Sequence, residues 1–227
     1  TGTVTIMGVM ENDKVYNWGN LNLDTVMLWD SQATRVSGPF YLDNQRLALG
    51  TVAPQLDPQA PQKSVTANWL AGRLVLDGDI KLLGNLPFGL VASLNNARLE
   101  EFADELAPQL DSLSGQARIG IQLTGTADGT HTLSGLGSIR MENAQIYEIP
   151  MMLSMLKLLS VQQMDRTAFN TSNIQFEVKG DRILLRNIDF IGDAISLKGV
   201  GEIDLNRRVQ AQFHSTVGSS EKRIPVI

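Results

Sequence analysis

Apolar and polar residues alternate along most of this 227-residue chain, and the alternation is clearest in the second half. Ala117, Ile119, Ile121 and Leu123 fall on one side of the pattern, with Gln116, Arg118, Gln122 and Thr124 on the other. Ile174, Phe176 and Val178 alternate with Asn173, Gln175, Glu177 and Lys179, and Ile195, Leu197, Ile203 and Leu205 continue the habit. Period-2 patterning of this kind predicts antiparallel strands with one greasy and one wet face. Weaker versions run over residues 3–8, 21–29, 45–52 and 88–94. "KGDR" (179–182) and "GDA" (192–194) read as turns between strands.

Two segments have the helical period instead. In residues 97–110, Leu99, Phe102, Ala103, Leu106 and Leu110 share one face, while Glu100, Glu101, Asp104 and Glu105 take the other. Asn95 or Asn96 is placed to cap the start, and Pro108 to end or kink the helix. The second helix is predicted over 149–160. From Ile149 to Val161 its polar members are Ser154, Lys157 and Ser160, one narrow stripe on a helix that is otherwise apolar. Residues 53–63, with three prolines, read as a loop. "LAGRLVLDGDI", "LSGLGSIRMEN" and "LKGVGEIDLNR" begin 63 and 64 residues apart and suggest a loose repeat of stacked strand units. The expectation is a mainly β fold: a curved antiparallel sheet forming an elongated apolar groove, with two short helices. Residues 1–113 would hold degenerate β repeats and one helix, and 114–227 a second domain.

Composition narrows the chemistry. With 43% hydrophobic and 19% charged residues the chain can bury a core. A net charge of -5 argues against nucleic acid, which needs a basic face. The absence of cysteine excludes disulfides, thiol catalysis and cysteine-ligated zinc. His131 and His214, the two histidines, lack a second metal-type ligand at helical spacing. Asp24, Asp30 and Asp43 read as solvated turn carboxylates, and the acids of the first helix as its wet face. No phosphate-binding glycine loop or serine-hydrolase elbow occurs. Ser154 and Lys157 match the S-x-x-K nucleophile pattern, but no later K-T-G follows, and the polar stripe explains both residues. No catalytic residue, metal or cofactor is expected. No segment has the ~18–20 apolar residues that span a bilayer. Both chain ends break off within pattern, so the chain reads as part of a longer protein.

The stretch from Leu133 to Leu205 resembles the C-terminal domain of the AsmA-like family of Gram-negative envelope proteins. A Gly-rich strand leads to Asn143-Ala144 and Ile146-Tyr147. A Pro150-led apolar helix ends in Leu158-Leu159-Ser160, and a strand ending in "GDRI" is followed by "IDFIGDAISLKGVGEIDL". "LNNARLEEFADEL" fits the same habit of a strand running into an acidic helix. The resemblance implies a non-enzymatic periplasmic segment whose parent is anchored in the inner membrane through parts missing here. It implies phospholipid acyl chains as the ligand, with other envelope proteins as further partners, and a role in lipid transport or outer-membrane biogenesis.

Physics leads to the same place, since a sheet with a continuous apolar face must cover it with helix, partner or lipid. At roughly 25 cal/mol per Å², leaving such a face wet costs many kcal/mol. The residues expected to line the groove are Ile119, Ile121, Leu123, Ile139, Met141, Phe176, Val178, Ile188, Phe190 and Ile195. Met152 and Leu156 of the apolar helix would roof it. The alternatives are an ordinary core helix in a closed core, and a protein–protein interaction or terminal cap module.

Overall fold

The structure is a computed structural model that describes residues 1–12, 14–28, 30–54, 62–108, 113–145, 171–192, 195–204 and 208–217. The fold is mainly β, as the alternation predicts. Thirteen strands form one antiparallel sheet: β1 (Gly2–Glu11), β2 (Lys14–Leu28), β3 (Ser31–Asp43), β4 (Arg46–Leu49), β5 (Val65–Trp69), β6 (Gly72–Lys81) and β7 (Phe88–Arg98), then β8 (Ser114–Gly125), β9 (Ser134–Gln145), β10 (Thr171–Lys179), β11 (Arg182–Ile191), β12 (Ile195–Asp204) and β13 (Val209–Val217). The order is a meander in which chain neighbours pair, as short connections favour. Among the described residues β1 and β13 each have one hydrogen-bonded neighbour. β7 and β8, on either side of residue 113, are paired directly.

One tier of the meander is split. β4 pairs with β3 and β6 near one end, and β5 pairs with the same two strands near the other. Between β4 and β5 the described residues 50–54 and 62–64 belong to no strand. Asp77 of β6 sits opposite the break, between Leu76, paired with Val65, and Gly78, paired with Leu49. Its carboxylate accepts the Thr51 N–H at 2.6 Å and the Ser64 hydroxyl at 2.9 Å. One side chain thereby holds both ends of the excursion.

A single α-helix is described, α1 (Leu99–Leu106). It is shorter than the 97–110 expected, and neither asparagine caps it. Arg98 occupies the N-cap position without a side-chain bond. Asn96 instead adopts φ +56° and breaks the β7–β8 register between Leu94 and Ala97; Asn143 does the same at φ +52° near the end of β9. Asparagine tolerates this left-handed backbone better than other residues with a Cβ. Pro108 lies just beyond the helix end. Leu99 and Ala103 are buried, and the sheet beneath them carries the small residues Ala97, Ala117 and Ala144, so the helix seats closely. The second expected helix, with Ser154, Lys157, Ser160, Met152 and Leu156, lies outside the described residues.

The turn expectations at "KGDR" hold, with Lys179 opposite Arg182 and Gly180 at φ +56°. The three loose repeats are not equivalent: Leu70 lies in a turn, Leu133 precedes β9 and Leu197 is inside β12. The Leu70-Ala71 turn has positive φ at both residues, normally the province of Asn and Gly. Leu70 is held there because its side chain is buried and its carbonyl accepts the Arg98 N–H at 2.9 Å.

Candidate functional site

Residues directly opposite one another in an antiparallel pair share a sheet face. Following the register from strand to strand therefore traces rows across one face. One row crosses all twelve strands of the main path. It runs Ile6, Gly19, Phe40, Leu49, Gly78 and Leu90, and continues Leu123, Gly135, Val178, Ile183, Ile203 and Val209. Every member is apolar or glycine. At about 4.8 Å per strand the row is about 50 Å long along the sheet.

Three shorter rows run beside it on the same face. Ala92, Ile121, Gly137, Phe176, Leu185 and Gly201 form the next. Leu74, Leu94, Ile119, Ile139, Ile174 and Ile188 form the third. Ala97, Ala117, Met141, Ser172, Phe190 and Leu197 form the fourth, beside α1. Nine of the expected lining residues thus lie on one face: Ile119, Ile121, Leu123, Ile139, Met141, Phe176, Val178, Ile188 and Phe190. Ile195 takes a register position opposite Val217, and Met152 and Leu156 are outside the described residues.

Burial divides this face. Next to α1, Leu94, Met141, Ile188, Phe190 and Leu197 are buried in one core cluster with Leu99 and Ala103. Away from the helix, Ile121, Leu123, Phe176, Ile183 and Leu185 are half-buried, and Ile6 at the β1 edge is 59% exposed. The rows next to α1 are a closed core; within the long row Phe40 and Val178 are also buried, Leu49, Leu90, Leu123, Ile183 and Ile203 are half-buried, and Ile6 and Val209 are exposed.

Glycines within the rows leave room for rings. A Cβ on Gly137 would fall within the Phe176 ring, its direct cross-strand partner. The registered pairs Gly19–Phe40 and Gly199–Phe213 repeat this. Each ring lies over its glycine partner, which smooths the face where two bulky side chains would otherwise compete. Aromatic cover of strand glycines also stabilises sheets.

The reverse face mixes ion pairs with exposed apolar residues such as Val91, Leu136 and Val200. Glu177 accepts from Arg186 at 2.5 and 2.8 Å and pairs with Lys179 at 3.1 Å. Arg186 and then Lys179 hold its carboxyl below the usual range. Near β1, this face instead bears an aromatic cluster of Tyr16, Trp18 and Tyr41 around Ala48 and Ala53. The Tyr41 hydroxyl donates to Asp43 at 2.7 Å. Burial and then the neighbouring carboxylate push Tyr41 up to about 12. Burial pushes Asp43 up, but hydrogen bonds from Tyr41 and the Gln45 and Arg46 amides outweigh it and hold the carboxyl low. Asp43 is therefore a bonded carboxylate, not a freely solvated one.

Other polar groups take structural places. His131 lies in a 3-10 turn and His214 on β13, both exposed. Two acids of α1 are not simply wet: Glu105 accepts from the buried Ser31 hydroxyl and Glu100 from the Gly115 N–H. A charged cleft at the turn ends pairs Arg208 with Asp204 at 2.7 Å and Arg182 with Glu202 at 3.3 Å. Among the described residues no cluster of three or more His, Asp or Glu could hold a metal ion. No described helix is long and apolar enough to cross a membrane.

Sequence reasoning read weak alternation over 3–8, 45–52 and 88–94 but placed none of the first half of the long row on the lining. Phe40 and Leu42 in β3 and Leu74 and Leu76 in β6 alternate plainly, while Leu47 and Leu49 lie in the four-residue β4. The glycines at 19, 78 and 135 were uncounted because a pattern of apolar side chains does not register them. No family model, curated protein or solved structure matches the chain.

Proposed function

We propose that this chain is a segment of a periplasmic β trough that binds phospholipid acyl chains and aids lipid transport or outer-membrane biogenesis. Its parent would be an inner-membrane-anchored protein of the AsmA-like kind. The observation that carries the reading is the uninterrupted apolar row from Ile6 to Val209. A path that is apolar at every strand crossing suits a ligand that is itself long, apolar and featureless. Each buried CH₂ of an acyl chain contributes about 0.8 kcal/mol, so such a ligand gains along its whole length. The lining is hydrocarbon with few polar groups, so discrimination between headgroups would be low. On this reading the chain is a binder and not an enzyme.

A second reading, a terminal cap or partner-docking module, is favoured by α1 and the buried rows beside it. Site-specific photo-crosslinking in a membrane-containing cell separates the two. A photoreactive residue at Ile121 or Phe176 should take lipid adducts, while Gln122 or Gln175, exposed on the reverse face, should not. Equal labelling at all four positions, or none with lipid present, overturns the trough. A stoichiometric protein partner without lipid supports the cap.

A further inference from the structure

The β6–β7 turn, residues 82–87, reads Leu-Leu-Gly-Asn-Leu-Pro and contains no charged residue. Leu82, Leu83 and Leu86 are all exposed there, Leu83 at 56%. Leu86 holds φ +52°, a left-handed backbone that strains a leucine and suits glycine or asparagine. Leu70 shares that conformation, but its buried side chain offsets the strain. No such burial offsets it at Leu86. The turn is nonetheless fixed. The Leu82 N–H donates to the Gln45 carbonyl at 2.7 Å, the Ala127 N–H to the Asn85 carbonyl at 2.8 Å, and the Asn85 side-chain amide to Asp128 at 2.7 Å. The neighbouring turns are polar, with Asn44 and Gln45 exposed on one side and Asp128, Thr130 and His131 on the other.

β6 and β7 lie in the interior of the strand order, so strands added beyond β1 or β13 would leave this turn at the same rim. α1 follows the far end of β7, which puts the turn on the side of the apolar face away from the closed core. Next to the turn, Ile80 and Phe88 are directly opposite, flanked in register by Leu47 and Gly125. Two residues further in, about 7 Å along the strands, Gly78 and Leu90 belong to the long row. An apolar strip therefore runs from the leucines to that row.

Six residues between polar turns are too few for a stable protein partner, whose interface takes about 20–30 residues a side. A bilayer needs no matching surface, and apolar side chains on a fixed tip gain by entering its headgroup–acyl boundary. With a net charge of -5, apolar contact and not attraction to anionic headgroups is the driving force. We propose that the β6–β7 turn inserts Leu82, Leu83 and Leu86 into the surface of a phospholipid bilayer and sets this rim of the apolar face against it. As the route by which lipid reaches the trough, the contact rests on the trough reading; as an insertion, it does not.

Flotation of the intact 227-residue chain with phosphatidylcholine vesicles tests this. The chain should float with the vesicles and stay bound in about 0.5 M salt, which screens ion pairs. Leu83→Asp should weaken binding about tenfold or more. Leu86→Asn should also weaken it, yet leave the urea midpoint unchanged or higher, because asparagine suits φ +52°. The chain has no cysteine, so a polarity-sensitive dye on Leu83→Cys reports one site. Its emission should shift to the blue with vesicles, and the same dye on Asn44→Cys should shift far less. Absence of flotation, binding abolished by salt, binding untouched by Leu83→Asp, or equal dye shifts at the two sites overturns the proposal. Flotation with the expected signatures but without lipid adducts at Phe176 supports the insertion and overturns the trough instead.

Discussion

The indole N–H of Trp69 donates to the hydroxyl oxygen of Ser31 at 2.7 Å. Ser31, 2% exposed, passes its own proton towards Glu105 of α1, so one hydroxyl ties β5, β3 and the helix together. Ser31→Ala removes both bonds and leaves a half-buried indole donor unpaired, at an expected cost of about 1 kcal/mol. The midpoint of urea denaturation should fall. Ser31→Thr, which keeps the hydroxyl, should recover part of the loss.

Gly137 and Phe176 make a coupled pair. Gly137→Ala forces the ring to move and should destabilise by about 1–2 kcal/mol, the usual scale of overpacking. Phe176→Ala leaves a gap of its own, but in that background Gly137→Ala should cost almost nothing. A double-mutant cycle measures the difference, and additive effects would mean that the ring does not lie over the glycine.

Asp77 replaces the ladder where β4 and β5 leave the sheet. Asp77→Ala should free the Thr51 amide, and native-state hydrogen exchange at that amide should quicken tenfold or more. Exchange at the paired residues of β8 and β9 should be unchanged. Asp77→Asn keeps an acceptor oxygen and should fall between the two.

Tyr41 couples folding to alkaline pH. In an unfolded chain a tyrosine titrates near 10, and here burial and Asp43 push it up to about 12. Because the folded value is the higher, this stabilisation is fully present below pH 10 and is lost as pH rises through about 12. Asp43, held low by its hydrogen bonds, works in the other direction: its contribution is present above the ordinary carboxylate range and fades as pH falls through its lowered value. Ultraviolet titration should show one of the three tyrosines ionising late. Tyr41→Phe should remove that late step and flatten stability between pH 10 and 12.

What this chain's sequence determined by itself is the type and sidedness of its elements. Period-2 alternation depends only on backbone geometry, since successive side chains of a strand must point to opposite faces. That is why Ile119, Ile121 and Leu123 could be assigned to one face, and why Leu99, Phe102, Ala103 and Leu106 could be assigned to a helix. Tertiary structure decided what local pattern cannot carry. Asn96 could have capped a helix or turned a strand, and the pairing of β7 with β8 made it a bulge. Glu105 looked solvated until Ser31, seventy-four residues away, came within bonding distance. Gly19, Gly78 and Gly135 became parts of one apolar row only when register placed them beside Phe40, Leu90 and Val178. A row across twelve strands is a property of the pairings, and pairings between distant segments follow from which faces can be buried together.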